Sequence, residues 1–310
     1  MKVNTLLMEE FPDFNQPGFD IDLYNQRFHN SNVVIHAKGR DVSYPMHWGP
    51  LTIKAVLNGE EHYETHHSHY AVDNDHFLLF NNGRMYSSWI SSATNVESFT
   101  LNINPAFEQR AVGSIRGTIA GQLDDPFRDR TGTFRFTEKL YNCDHRVTPI
   151  MRSIRKLSKD LKTNKSQLDL MFHELMEGLL SLQSKTNAEI ERVDKARWST
   201  RNELFERLAR SKDFIYSCYG RDISLEEMAH VACMNSFYFL RQFRKTFGMT
   251  PHRLLTKRRL EVAARLLSTT DLPVTHICTE IGFSDVSSFG KLFRRTYGVT
   301  PSGFRTYVKS

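Results

Sequence analysis

Residues 235–251 read NSFYFLRQFRKTFGMTP, and residues 285–301 read DVSSFGKLFRRTYGVTP. The two stretches are copies of one pattern, 50 positions apart and identical at seven of 17 positions. The shared residues are Phe239/Phe289, Phe243/Phe293, Arg244/Arg294, Thr246/Thr296, Gly248/Gly298, Thr250/Thr300 and Pro251/Pro301. Each copy carries the marks of one helix. Asn235 and Asp285 are good N-caps, because a side-chain oxygen there can accept from the unpaired N–H groups of the first turn. Phe239, Phe243 and Phe247 recur every four residues, as do Phe289, Phe293 and Tyr297, which places an aromatic stripe on one buried face. Gly248 and Gly298 supply the left-handed residue that ends a helix. The Thr-Pro that follows opens the next one, Thr as cap and Pro at the first helical position.

A shorter helix precedes each copy. Ser224-Leu225-Glu226-Glu227 has the form of a capping box. Leu225, Met228, Ala229 and Ala232 make the buried stripe behind it, and Cys233-Met234 forms a short turn. Before the second copy, Val274, Ile277, Cys278 and Ile281 are the stripe and Gly282 makes the turn. Two short helices joined tightly are a helix-turn-helix, whose second helix enters the DNA major groove. His252–Leu267 reads as a helix of 16 residues linking the two units, about 24 Å long at the standard rise. Arg253, Lys257, Arg258, Arg259 and Arg265 fall at its outer positions. A helical bundle or protein-binding solenoid is the competing reading, but two copies make a poor solenoid.

Charge points the same way. Residues 201–310 hold 18 Lys+Arg against ten Asp+Glu, whereas residues 1–200 hold 23 against 25. A basic last third on a near-neutral first part is the asymmetry of a nucleic-acid module attached to something else.

Residues 200–310 resemble the DNA-binding domain of the AraC/XylS family. The match is close at Ile281-Gly-Phe-Ser-Asp285, Phe289, Phe293-Arg-Arg and Gly298-Val-Thr-Pro301, ending in Phe304-Arg305. The resemblance implies a bacterial transcription regulator, most often an activator, with seven helices in this domain. It also implies base reading from the solvent face of the two recognition helices. Carried onto this chain, those positions are Phe237, Leu240 and Arg241 in the first unit, and Val286, Ser287, Ser288 and Lys291 in the second. Several are apolar where polar residues are common, which suits either contacts of the first unit to thymine methyls or a smaller share of base discrimination for it. Arg241 and Lys291 are the candidates for guanine. Arg244, Lys245, Arg294 and Arg295 suit phosphates, the alternative for each being an ion pair with a nearby carboxylate.

The first part of the chain reads as β-structure. Asn32–Ala37, Thr52–Leu57, Glu61–Thr65, His69–Asp73, Phe77–Phe80, Arg84–Ile90 and Ser98–Ile103 are short runs separated by turn signals such as Asn58-Gly59 and Asn82-Gly83. After about residue 145 the pattern turns helical. Leu168, Met171, Leu175, Leu179 and Leu182 form one stripe, which suits either a dimer face or packing onto the β-domain. The polar stretch Ser184–Arg201 is the expected linker. By the same resemblance, residues 1–145 look like a cupin-type β-barrel for effector binding or dimerisation, with 146–200 as helical segment and linker and 201–310 as the DNA-binding domain. The expected fold is thus α+β in two domains. An N-terminal cupin-like β-barrel with trailing helices precedes an all-α domain of two helix-turn-helix units joined by a linking helix.

The cluster His62, Glu64, His66, His67, His69 and His76 invites a metal reading, because His62, Glu64 and His66 share one strand face. Thr65–Ser68 falls where a hairpin turn belongs, however, so surface histidines are preferred and neither metal nor cofactor is expected. Trp48, Tyr63, Phe77, Phe80, Tyr86 and Trp89 suit a barrel interior. The four cysteines form no C-x-x-C pair and read as buried small hydrophobes in a reducing compartment. No apolar run reaches the length of a membrane span, and the N-terminus makes a poor secretory signal. The expectation is a cytoplasmic, non-enzymatic regulator. Its expected partners are double-stranded promoter DNA, RNA polymerase, a small-molecule effector and a second copy of the chain. A cupin-type metalloenzyme with a DNA-binding appendage and a constitutive DNA binder without effector are the alternatives.

Overall fold

The computed structural model describes residues 4–13, 17–117, 134–193 and 197–309. Two compact units divide it, the first reaching Glu191 and the second running on from Arg207.

The first unit is built on strands β1 (Asn4–Met8), β2 (Ser31–Trp48), β3 (Leu51–Asn58), β4 (Glu60–Glu64), β5 (His69–Asp73), β6 (His76–Phe80), β7 (Met85–Ile103) and β8 (Leu140–Asn142). Its helices are α1 (Ile21–Asn30), α2 (Pro105–Gly117), α3 (Val147–Leu157) and α4 (Leu161–Glu191). All eight strands form one sheet, in the order β1-β2-β7-β3-β6-β8, with the β4–β5 hairpin attached through β7. The antiparallel pairing of β2 with β7 shifts register between Gly39 and Asp41. The outer part of β7 pairs with β3, whereas Ser87–Trp89 pair with β4. The sheet therefore folds over on itself. The short runs expected from sequence lie in strands, apart from the end residues Thr65 and Arg84; Arg84–Ile90 and Ser98–Ile103 merge into the long β7, and Asn32–Ala37 is the start of the long β2. Sequence reading missed β1, α1, α2 and β8. The Asn104-Pro105 dipeptide signalled α2, since Asn104 Oδ1 accepts from the Phe107 N–H at 3.0 Å.

Successive side chains on a strand point to opposite faces. Val34, Leu101, Ile53 and Leu79 are cross-strand neighbours on one face. They join Phe107, Met151, Ile154, Leu168, Phe172 and Leu175 in one apolar core. Of the expected α4 stripe, Leu168, Leu175 and Leu179 are fully buried there beside Phe172 and Met176, and Met171 and Leu182 pack half-buried against the same core. The stripe packs within its own unit and is no free dimer face. On the opposite face, Ile35, Thr100 and Lys54 are neighbours, and Tyr24 and Phe28 of α1 pack with Val33, Ile35 and Ala37. This face is unusually polar. Thr52, Lys54, Ser98, Thr100 and Asn102 are all buried on it.

Helix α4 continues through the start of the stretch expected as a linker. The polar residues there have partners. Just before it Gln183 accepts from the Thr137 N–H at 2.8 Å, and within it the Thr186 hydroxyl donates to Leu182 O at 3.1 Å and Ile190 is fully buried. Residues 194–196 of that stretch lie outside the described residues. The cysteines also depart from expectation, because only Cys278 is buried. Cys143 and Cys233 are exposed and Cys218 is half-buried. Cys143 directly follows the short strand β8, and Cys233 sits in a turn rather than on a helix face.

The second unit contains α5 (Trp198–Ser217), which begins before it, then α6 (Leu225–Val231), α7 (Ser236–Phe247), α8 (Pro251–Thr269), α9 (Val274–Glu280), α10 (Val286–Tyr297) and α11 (Pro301–Lys309). Helix pairs α6–α7 and α9–α10 are the two helix-turn-helix units, and α8 links them. The aromatic stripes are spent as expected. Phe239, Phe243, Phe289 and Phe293 are fully buried. Phe243 lies 5.3 Å from the Phe239 ring and 4.7 Å from that of Phe247. Burying a phenylalanine contributes roughly 1.5–3 kcal/mol, so four of them dominate these small cores.

The copies differ in their turns. The left-handed residue is Cys233 in the first (φ 53°) and Gly282 in the second (φ 80°). One residue separates Cys233 from the cap Asn235, and two separate Gly282 from Asp285. The second turn is one residue longer, so the 50-residue period holds only from the recognition helices onward. Arg258 is another correction. It was placed on the outer face of the linking helix, but it is 1 % exposed. It shares the i, i+4 row of Leu254 and Val262, which faces inward, and its guanidinium lies 5.3 and 5.2 Å from the Tyr216 and Tyr219 rings.

Candidate nucleic-acid interface

The two recognition helices are capped alike. The Asn235 side chain accepts from the Tyr238 N–H at 2.9 Å. The Asp285 carboxylate accepts from the Ser287 and Ser288 N–H groups at 3.2 and 2.7 Å. Those bonds, with one from the Ser288 side chain, hold the Asp285 carboxyl below its ordinary range. Both helices end on a left-handed glycine, Gly248 at φ 74° and Gly298 at φ 80°. The Thr250 hydroxyl then caps α8 by accepting from Arg253 N–H at 3.3 Å. Ser224 likewise caps α6, accepting from Glu227 N–H at 3.1 Å. The Glu227 carboxylate pairs with Arg221 and also accepts from the Ser224 backbone N–H, the return bond of the capping box.

With the aromatic stripes turned inward, the opposite faces are exposed. On α7, Phe237, Arg241, Arg244 and Lys245 are exposed and Leu240 is half-buried. Phe237, at 79 % exposure, is among the most open large apolar side chains described. Such a residue on a basic helix face has no folding role and suits an apolar contact with a partner. The Arg241 guanidinium lies 5.6 Å from the Tyr238 ring centroid, which holds it along the helix surface. On α10, Val286, Ser287, Ser288, Lys291, Arg294 and Arg295 are all exposed. The candidate base readers occupy the first half of each helix and the candidate phosphate partners the last turn. On α8, Arg253 and Lys257 are exposed, while Arg259 turns inward and donates to Tyr219 O and Arg221 O, both at 2.9 Å.

That Arg259 contact fixes the second turn. An added Cβ on Gly282 would stand 2.8 Å from Gly220 O and from Arg259 Nη2, and one on Gly220 would stand 2.9 Å from Glu280 O. The segment after α5 thus packs directly against the α9–α10 turn, and only glycine fits the contact. This close approach fixes how α10 is presented to solvent.

In the first unit of the fold, the histidines are dispersed. His66 and His67 are exposed in the β4–β5 hairpin, closed by a Thr65 N–H to Ser68 O bond of 2.8 Å. His62, His69 and Trp89 stack on one another, with His62 at 5.5 Å from His69 and 5.3 Å from Trp89 and those two 5.5 Å apart. His76 bonds to Asp73 at 2.8 Å, and Glu64 is exposed. Among the described residues, no group of three or more His, Cys, Asp or Glu is placed to hold a metal. No helix among them is long and apolar enough to cross a membrane. The aromatics divide between roles. Trp48 and Tyr86 line a cavity, Tyr63, Phe77 and Phe80 are fully buried, and Trp89 is half-buried in the histidine stack. Sequence reading missed the two charges in that cavity, Lys54 and Glu61. The signal was present, as a lone lysine inside the apolar strand Leu51–Leu57.

Comparison with known proteins agrees with the geometry. A family model described as a helix-turn-helix domain matches residues 228–307. The chain is 39 % identical over 90 residues to the RCS-specific HTH-type transcriptional activator RclR of Escherichia coli, covering 29 % of this chain and 32 % of that one. It is 22 % identical over 230 residues to the probable transcriptional regulator LumQ of Photobacterium leiognathi, covering 70 % and 86 % respectively. Among solved structures, a probable AraC family transcriptional regulator from Rhodopseudomonas palustris aligns at 23 % identity and a TM-score of 0.31, over 33 % of this chain and 96 % of that one. Over its C-terminal helices the chain is thus similar to helix-turn-helix transcription regulators, and residues 228–307 are a DNA-binding domain of that kind.

Proposed function

We propose that the chain activates transcription in response to a small molecule. In this reading α7 and α10 enter successive major-groove turns of promoter DNA, roughly 34 Å apart along the duplex. Arg241 and Lys291 read guanine edges, Phe237, Leu240 and Val286 meet thymine methyls, and Ser287 and Ser288 bond to either base type. Arg244, Lys245, Arg294 and Arg295 hold phosphates and set register without reading sequence. The observation that carries this reading is the pair of capped helices in one compact unit, each burying a phenylalanine stripe and exposing a basic, partly apolar face. RclR, matched over this domain, is named an activator, which supports activation and RNA polymerase as a partner. The separate β-unit with its cavity supports a ligand-sensing role. The proposed setting is the cytoplasm and the proposed working form a homodimer, whose contact surface lies elsewhere than on the α4 stripe.

Binding to a selected site and to random duplex tests the reading. Arg241→Ala should weaken the selected site by about 1–3 kcal/mol with little loss on random DNA. Equal loss on both would make Arg241 a phosphate contact and refute its base-reading role.

A further inference from the structure

The polar face of the sheet lines a partly open cavity of about 50 Å³, several times the ~10–15 Å³ that one water needs on the same measure. Two opposite charges are buried at its wall. Lys54 on β3 is 8 % exposed and Glu61 on β4 is 4 % exposed. The Lys54 ammonium lies 5.0 Å from the Tyr86 ring centroid and 5.4 Å from that of Tyr63. Glu61 Oε2 is fully enclosed and lacks a hydrogen bond of normal geometry, while the Ser98 and Tyr63 hydroxyls face the carboxylate and offset part of its burial. No direct ion pair joins the two side chains. Burial pushes the lysine down to about 8 and the carboxyl up, the signature of charged groups short of solvation.

A core built only for stability does not keep such groups. Unsatisfied buried polar atoms cost free energy, and a neutral apolar replacement of a buried pair is often as stable or more so. A ligand that brings an anion to Lys54 and a hydrogen-bond donor to Glu61 satisfies both at once. The remaining wall sets its shape. Phe28, Tyr44, Trp48 and Tyr86 line the space, and an aromatic lining of this kind favours a planar, apolar body between the two polar ends.

We propose that this cavity binds a small aromatic carboxylic acid bearing a hydroxyl or amino group, its carboxylate on Lys54 and its donor on Glu61. The proposal rests on the reading of the chain as effector-responsive and adds the effector's chemical class.

The test uses the full chain and four probes: 4-hydroxybenzoate, 4-aminobenzoate, benzoate (no donor) and methyl 4-hydroxybenzoate (no charge). Calorimetric titration should show at least one substituted acid binding about tenfold more tightly than either control. Lys54→Met should remove that advantage over the ester, and Glu61→Gln the advantage over benzoate. The double variant Lys54→Met/Glu61→Gln, with no buried charge left unpaired, should stay folded and bind the acids no better than the ester. Equal binding of all four probes, undiminished acid binding by the double variant, or no binding of either substituted acid at about 1 mM would each overturn the proposal. Promoter affinity, measured with and without the bound acid, separates the two claims. Binding without any change in promoter affinity sinks effector control and leaves the site assignment standing.

Discussion

Gly282 joins the two helices of the second unit, and replacing it by alanine has a cost that can be worked from two contributions. One is conformational. Gly282, Gly248 and Gly298 all have φ between 74° and 80°, where alanine costs about 1–2 kcal/mol, offset by about 0.4–1 kcal/mol from stiffening the unfolded chain. For Gly298 nothing lies within 4 Å of the added Cβ, so Gly298→Ala should cost about 1 kcal/mol. The other contribution is steric and applies only to Gly282. Its Cβ would stand 2.8 Å from Gly220 O and 3.0 Å from Gly220 C. A backbone carbonyl cannot swing aside as a side-chain end can. The Gly220 segment is also held by Arg259, through Tyr219 O and Arg221 O. Overpacking of this kind adds about 1–3 kcal/mol, for a total of about 2–4. Native-state hydrogen exchange in the full chain reads this locally, at the amides of α9 and α10. Gly282→Ala should lower their protection by about 30-fold or more, and Gly298→Ala by about fivefold in α10. Equal effects from the two variants would refute the close contact as the feature that fixes α10.

Other expected outcomes follow from the same contacts. Phe243→Ala empties the centre of the first unit and should cost roughly 3–5 kcal/mol; a variant melting with wild type would contradict the core assignment. Replacing Arg244 or Lys245 by glutamine should weaken binding to all duplexes alike and reduce the slope of log K against log salt by about one per contact; an unchanged slope would remove them from the phosphate set. Burial, with the nearby His69, pushes the His62 imidazole down to about 4. The folded state keeps it neutral while the unfolded chain protonates near pH 6.5. Its contribution is therefore present above pH 6.5 and lost as pH falls toward 4. His62→Gln should flatten the acid side of the stability curve in that window, and a wild-type resonance assigned to His62 that titrates near 6.5 would contradict the burial.

How much of this was legible in sequence depended on the range of the interactions. Caps, aromatic stripes and terminating glycines act within a turn or two, so both recognition helices could be bounded from Asn235 and Asp285 alone. The extra residue in the second turn escaped notice because the repeat is strong only after it. Arg258 was misplaced because a basic residue on a basic helix reads as solvated until Tyr216 and Tyr219 are seen beside it. The α4 stripe was correctly periodic, but periodicity does not name the surface it meets. The cavity charges were the least visible. Lys54 and Glu61 come together only through the pairings of β3 and β4 with β7, which no local pattern encodes. Alternation did mark Lys54 as out of place in an apolar strand, and that is the clue a sequence reading could have used.

The central claim is that one chain presents two readers to one duplex. Repeated selection of bound sequences from a random duplex pool, by the full chain at moderate salt, tests it most directly. The account predicts two short enriched blocks centred about 10–10.5 base pairs apart, with Arg241→Ala degrading one block and Lys291→Ala the other. No enrichment, or a single block that both substitutions degrade alike, would contradict it.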